Sequence, residues 1–86
     1  VVSATVSLGY DIPHTHIEEI LLKAAGEIGL KDPFVQILDL GDFSVTYRIA
    51  GLLEEANKLL AFRSRLRTAI LDALHTGGIE IVSPNL

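Results

Sequence analysis

The run Phe43-Ser44-Val45-Thr46-Tyr47-Arg48-Ile49-Ala50 decides the fold. Apolar Phe43, Val45, Tyr47 and Ile49 alternate with Ser44, Thr46, Arg48 and Ala50, and a period of two is the pattern of a strand buried on one face only. On that pattern Phe43 and Tyr47 belong to the core, while Ser44, Thr46 and Arg48 face away from it. The same alternation occurs near the start of the chain, where Val2, Ala4, Val6 and Leu8 are separated by Ser3, Thr5 and Ser7. Two one-sided strands with aliphatic inner rows and hydroxyl-rich outer rows suit the centre of a sheet covered on one face.

Working outward, Gly41-Asp42 precedes the deciding run and predicts a hairpin turn, and Phe34 to Leu40, large and β-branched, predicts its partner strand. Pro33 sets the start of that strand, since it cannot continue a helix. Between the first two strands Pro13 opens a helical pattern of Ile17, Ile20, Leu21, Ala24, Ala25 and Ile28. Gly29 suits the left-handed end of that helix, and Glu19 stands four residues before Lys23 on its outer surface. Beyond Gly51 the helical spacing returns from about Leu53 to Thr76, with Glu54 and Glu55 suited to its start and Gly77-Gly78 to its stop. Ile79 to Val82 predicts a short last strand before Ser83-Pro84. The order is βαββαβ, so the expectation is an α+β ferredoxin-like sandwich: a four-stranded antiparallel sheet, two helices on one face, and strands one and three central.

With 86 residues, 49% of them hydrophobic, the chain has the size and composition of one folded domain spanning 1–86. A domain this small buries only about 60% of its unfolded surface, so neighbouring surfaces are expected to add stability. The absence of cysteine excludes disulfides, thiolate metal sites and thiol catalysis. No apolar stretch approaches the roughly 18 residues of a membrane span, and the opening residues carry no positive charge of the kind a secretory signal has. A net charge of -4 speaks against nucleic acid as a partner. The outer rows also lack the stacking aromatics of a sheet-type RNA reader.

Few residues carry chemistry. His14 and His16, two apart at the opening of a helix, would need a further ligand to hold a metal, and exposed surface is the expected fate of both. His75 falls in the last turn of the second helix, where an imidazolium favours the carbonyl end. Glu54, Glu55, Asp72 and Glu80 cannot be placed about a common cleft from the sequence, so no acid/base pair is identified. Lys58, Arg63, Arg65 and Arg67 make the second helix locally basic, with Arg63 and Arg67 four apart on one face. Arg48, Arg63 and Arg67 are the candidate interface residues. No glycine cluster has phosphate-loop spacing. The chain is therefore expected to work by packing against protein surfaces and not as an enzyme, with neither cofactor nor metal.

Tyr10-Asp11 after an apolar strand, a helix containing Ala24-Ala25, Pro33-Phe34-Val35 and Gly41-Asp42-Phe43-Ser44-Val45 follow one another in this order. Leu66 through Leu74, Gly78-Ile79-Glu80-Ile81 and Ser83-Pro84-Asn85 complete the series. Taken together these segments resemble the cytoplasmic C-terminal domain of the small-conductance mechanosensitive channel family over essentially the whole chain. Val82 and Ser83 depart from that family's pattern, which has a proline directly after the Ile-x-Ile strand and a further aromatic before the last proline. The resemblance implies a cytoplasmic vestibule and assembly domain of an inner-membrane channel that opens under bilayer tension and releases solutes on osmotic downshock. It implies as partners other copies of the chain in a heptameric cage and a β-rich domain upstream, the membrane being reached only through helices upstream of that.

Ferredoxin-like domains of this size also serve as small-molecule-binding regulatory modules, and the fold alone does not separate the two. A ligand module predicts an enclosed pocket with convergent polar groups at a strand–helix loop such as Tyr10 to His16, whereas a cage segment predicts flat contact surfaces. An acylphosphatase-type enzyme needs an arginine in the anion loop after strand one, and Leu8 to Thr15 has none.

Overall fold

The computed structural model describes residues 1–54 and 58–81. Its elements run β1 (Val2–Leu8), α1 (His14–Glu27), β2 (Lys31–Leu40), β3 (Val45–Leu52) and α2 (Leu59–Thr76). The strands form a three-stranded antiparallel sheet in the order β1-β3-β2, so the molecule is α+β with two helices. The expected fourth strand is represented among the described residues by one antiparallel bridge, Ile81 to Leu8, and Val82 lies outside them.

Register follows from the alternation. Val2 pairs with Gly51, Ala4 with Ile49, Val6 with Tyr47 and Leu8 with Val45, so two inner rows share one face. That face packs against Ile17, Leu21 and Ala25 of α1 and Phe62, Leu66, Ile70 and Leu74 of α2, forming one core with Leu30 and Ile79. Both helices thus cover the same side of the sheet. On the other side Ser7 Oγ lies 3.1 Å from Thr46 Oγ1, a cross-strand hydroxyl pair in the outer row the sequence predicts.

Several boundaries shift for identifiable reasons. Phe43, expected in the core, is 87% exposed. The Gly41 amide donates to the Ser44 carbonyl at 2.8 Å, so residues 41–44 close the hairpin and β3 begins only at Val45. Phe43 therefore sits in the turn, where strand alternation does not apply. β2 begins three residues before Phe34 and runs through Pro33, which is tolerated because it falls in an irregularity where the ladder to β3 skips it. Two irregularities interrupt its pairing with β3, between Lys31 and Phe34 and between Ile37 and Asp39, each adding one residue to β2. Asp32, at the first, has φ 47°, a left-handed conformation that aspartate adopts more readily than most residues. α2 begins at Leu59, not Leu53; Glu55 and Ala56 lie outside the described residues. α1 begins one residue after Pro13, and Gly29 (φ 91°) takes the left-handed position expected of it. Among the described residues the ion pairs are His14–Glu18 and Lys31–Glu54, and Glu19 forms none with Lys23.

Gly51 ends the inner row of β3 where Leu30 crosses it. A Cβ there would stand 2.5 Å from Leu30 Cγ and 2.9 Å from the Lys31 carbonyl oxygen, and the second neighbour is backbone. Gly51→Ala is expected to lower unfolding stability by about 1–3 kcal/mol, the range of core overpacking, read from the urea midpoint. An unchanged midpoint would show that the approach of Leu30 to β3 is looser than described.

Candidate interaction surface

Three surfaces remain after the core is accounted for: the outer face of the sheet, the hairpin end with the free edge of β2, and the outward flank of α2. The candidate arginines fall on two of them. Arg48 projects from the outer face, paired across the sheet with Thr5 and Gln36, and its Nη1 donates to Gln36 Oε1 at 2.9 Å. Arg63 and Arg67 stand one turn apart on α2, which covers the opposite face of the sheet. The sheet separates them from Arg48, so no single flat surface takes all three. Arg63 is half-buried, and its Nε is buried without a hydrogen-bond partner, which costs about 1–3 kcal/mol. Leu60 and Leu71, exposed beside Arg63 and Arg67 at helical spacing, make this flank part apolar and part cationic.

The hairpin end is the most apolar exposed region. Tyr10, Ile37, Leu38, Leu40 (68% exposed) and Phe43 are presented by the β1–α1 loop, the second half of β2 and the turn. The Tyr10 hydroxyl donates to the Gly41 carbonyl, tying the β1–α1 loop to the hairpin turn. Beneath lies a depression of about 300 Å³ lined by Tyr10, Ile12, His14, Ile37, Leu40 and Tyr47. Its lining is mainly apolar; His14 pairs with Glu18 at 3.5 Å, and the Tyr10 hydroxyl is engaged at the turn. That is a contact surface more than a reaction site. The sequence contains its signal in Phe34 to Leu40, where apolar residues do not alternate: a strand apolar on both faces at a sheet edge leaves one set of side chains uncovered.

Tyr47 lies under this depression and is 1% exposed. Burial raises its phenol above the ordinary 10.0, and the Glu18 carboxylate adds to the shift. His14 and His16 are exposed on the first turn of α1, and two residues apart on a helix they point in different directions. His75 is exposed in the last turn of α2, as its spacing predicts. Among the described residues no group of three or more His, Asp or Glu converges as a metal site would require.

Two further hollows flank the helices. One, between α1 and α2, is floored by Ala24, Ala69 and Ala73 with Lys23, Glu27 and Asp72 around it. The other, at the start of α2, brings Lys31, Lys58 and Arg65 near Glu54, with the Arg65 guanidinium 5.8 Å from the centre of the Phe62 ring. Lys31 is paired with Glu54 there. Among the described residues no helix is long and apolar enough to cross a membrane.

Two measurements test this surface. Phe43→Ala is expected to leave unfolding stability within about 0.5 kcal/mol, whereas Tyr47→Ala, in the inner row of β3, is expected to cost about 3–5 kcal/mol. Equal losses would return Phe43 to the core. Because the folded-state pKa of Tyr47 lies above its unfolded value, the stability tied to this phenol is complete below 10.0 and is lost as pH rises toward the raised value. Between about pH 8 and about pH 11 the urea midpoint of the wild type is expected to fall further than that of Tyr47→Phe. Parallel declines would place the phenol in solvent.

Comparison with protein-family models and with curated proteins yields no match.

Proposed function

We propose that this chain is the cytoplasmic vestibule and assembly domain of a mechanosensitive ion channel that releases solutes on osmotic downshock. The carrying observation is the uncovered apolar hairpin end: Tyr10, Ile37 and Leu40 are exposed about one depression, and Leu38 and Phe43 are exposed on β2 and in the turn beside them in sequence. Exposed apolar surface of this kind marks protein contacts. It coincides with Tyr10-Asp11 and Gly41-Asp42-Phe43, two of the segments in which the sequence resembles the small-conductance mechanosensitive channel family. On this reading the chain is not an enzyme. It lies on the cytoplasmic side of the inner membrane, and its partners are further copies in a heptameric cage and a β-rich domain upstream.

The same reading completes the sheet. On it the strand expected at the end of the chain, entered at Ile81, would lie beside β1 and give the ferredoxin-like order β4-β1-β3-β2, with that strand taken as β4. The antiparallel bridge from Ile81 to Leu8 supports it, since it falls on the edge of β1 that β3 leaves free.

The regulatory-module reading rests on the depression at the β1–α1 loop, the place a ligand pocket is expected in such a module. Against it stands the lining, which lacks convergent polar groups.

The reading frame upstream of Val1 provides the test. A β-rich segment preceded by a helix of about 20 apolar residues is the expected result. A soluble parent would overturn the channel assignment; a metabolite that raises the melting temperature of wild type but not of Tyr10→Ala would then establish the module.

A further inference from the structure

We propose that the outer edge of β2 pairs with the same edge of a second copy of this chain, antiparallel about a two-fold axis through Val35. The edge is long and unpaired: β2 spans ten residues, and among the described residues it pairs only with β3. Its exposed Phe34, Ile37, Leu38 and Leu40 are the side chains that an open edge normally replaces with charge.

Two independent features select one register. In antiparallel pairing, residues opposite one another lie on the same face, so a two-fold axis must pass through a residue and not between two. With the axis at Val35, residue numbers of opposed positions sum to the same total, and Lys31 faces Asp39 of the second copy, twice over. Both belong on the outer face, because Lys31 pairs with Leu52 and Asp39 with Thr46, both in the outer row of β3. Opposite charges therefore meet at each end of the contact. The second feature is the backbone. β2 carries its extra residues at Asp32-Pro33 and at Leu38, and the same axis sets Asp32 opposite Leu38. The two local bends of one strand thus meet the two bends of the other, while the regular stretch Phe34–Ile37 lies between them.

An axis one residue along, at Gln36, loses both matches: Asp39 then faces Pro33, and Lys31 faces Gly41. Pro33 and the two irregularities, which guard the edge against arbitrary strands, are compatible with this one partner. Lys31 is held by Glu54 in the single chain, but both side chains are more than half exposed, so the lysine can exchange one carboxylate for another. The contact differs in symmetry from cage closure, which repeats a head-to-tail interface and has no two-fold axis between neighbours, although both readings draw on the exposed Ile37, Leu38 and Leu40.

Sedimentation equilibrium of the 86-residue chain up to millimolar concentration tests the proposal. The expected outcome is a monomer–dimer equilibrium that Lys31→Glu or Asp39→Lys alone weakens roughly tenfold, while the double variant recovers it. Circular dichroism melting of each variant confirms that it folds. Because the native chain has no cysteine, single-cysteine variants report the register directly. Val35→Cys is expected to oxidise to a covalent dimer, and Gln36→Cys is not. A wild type that stays monomeric, a double variant without recovery, or cross-linking at Gln36 in place of Val35 overturns it. None of these results bears on the upstream sequence, so the failure of this contact and the failure of the channel reading are distinguishable.

Discussion

The antiparallel pairing of β1 with β3 is the constraint on which the rest of the molecule depends. It runs without interruption from Val2–Gly51 to Leu8–Val45. Because side chains alternate at a period of two, a slip of one residue would turn Val45, Tyr47 and Ile49 to solvent and bury Thr46 and Arg48. The cost of burying an unpaired guanidinium alone exceeds what most single contacts return. The Ser7–Thr46 hydroxyl pair on the outer face fits this register and no neighbouring one.

The helices inherit their positions from that inner row. Ile17, Leu21 and Ala25 of α1, and Phe62, Leu66, Ile70 and Leu74 of α2, recur at four-residue spacing, and each set finds its cover on the same face of the sheet. α1 lies over β3 and β2 and α2 over β1, with Tyr47 and Ile49 buried in the inner row and Leu30 closing the end near Gly51. Removing Gly51 from its close approach to Leu30 would disturb β3 and the return from α1 together, since one residue serves both.

The central part of this arrangement was legible in the sequence because the one-sided strands and apolar helix faces have strict periods. β2 was not fully legible: an edge strand has one hydrogen-bonded neighbour, tolerates Pro33, and carries inserted residues at two places, so its apolar residues lose phase with the core. Phe43 was misplaced for a related reason. Alternation in the sequence continues through Ser44, but the hydrogen bond from Gly41 to Ser44 spends those residues on the turn, and only the structure reveals where the ladder starts. The candidate arginines had a periodic signal for their local faces and none for their relation across the sheet. The apolar hairpin end arises from two segments distant in sequence, the β1–α1 loop and the β2–β3 hairpin, and spacing within either could not reveal it.

The two edges of the sheet are consequently unlike. On the β1 side, Leu8 meets Ile81, so the chain supplies at least the first contact along that edge from its own later residues. On the β2 side the described chain supplies nothing, and the apolar residues gather there, at the same end as Tyr10 and Phe43. A small domain has too little interior to hide every large apolar side chain, and the ones left outside need not be contiguous. Here Tyr10, Ile37 and Leu40 share one depression, and the irregular backbone of β2 restricts which strands can approach its edge. Surface that is both apolar and geometrically selective is suited to one partner and poorly suited to general association.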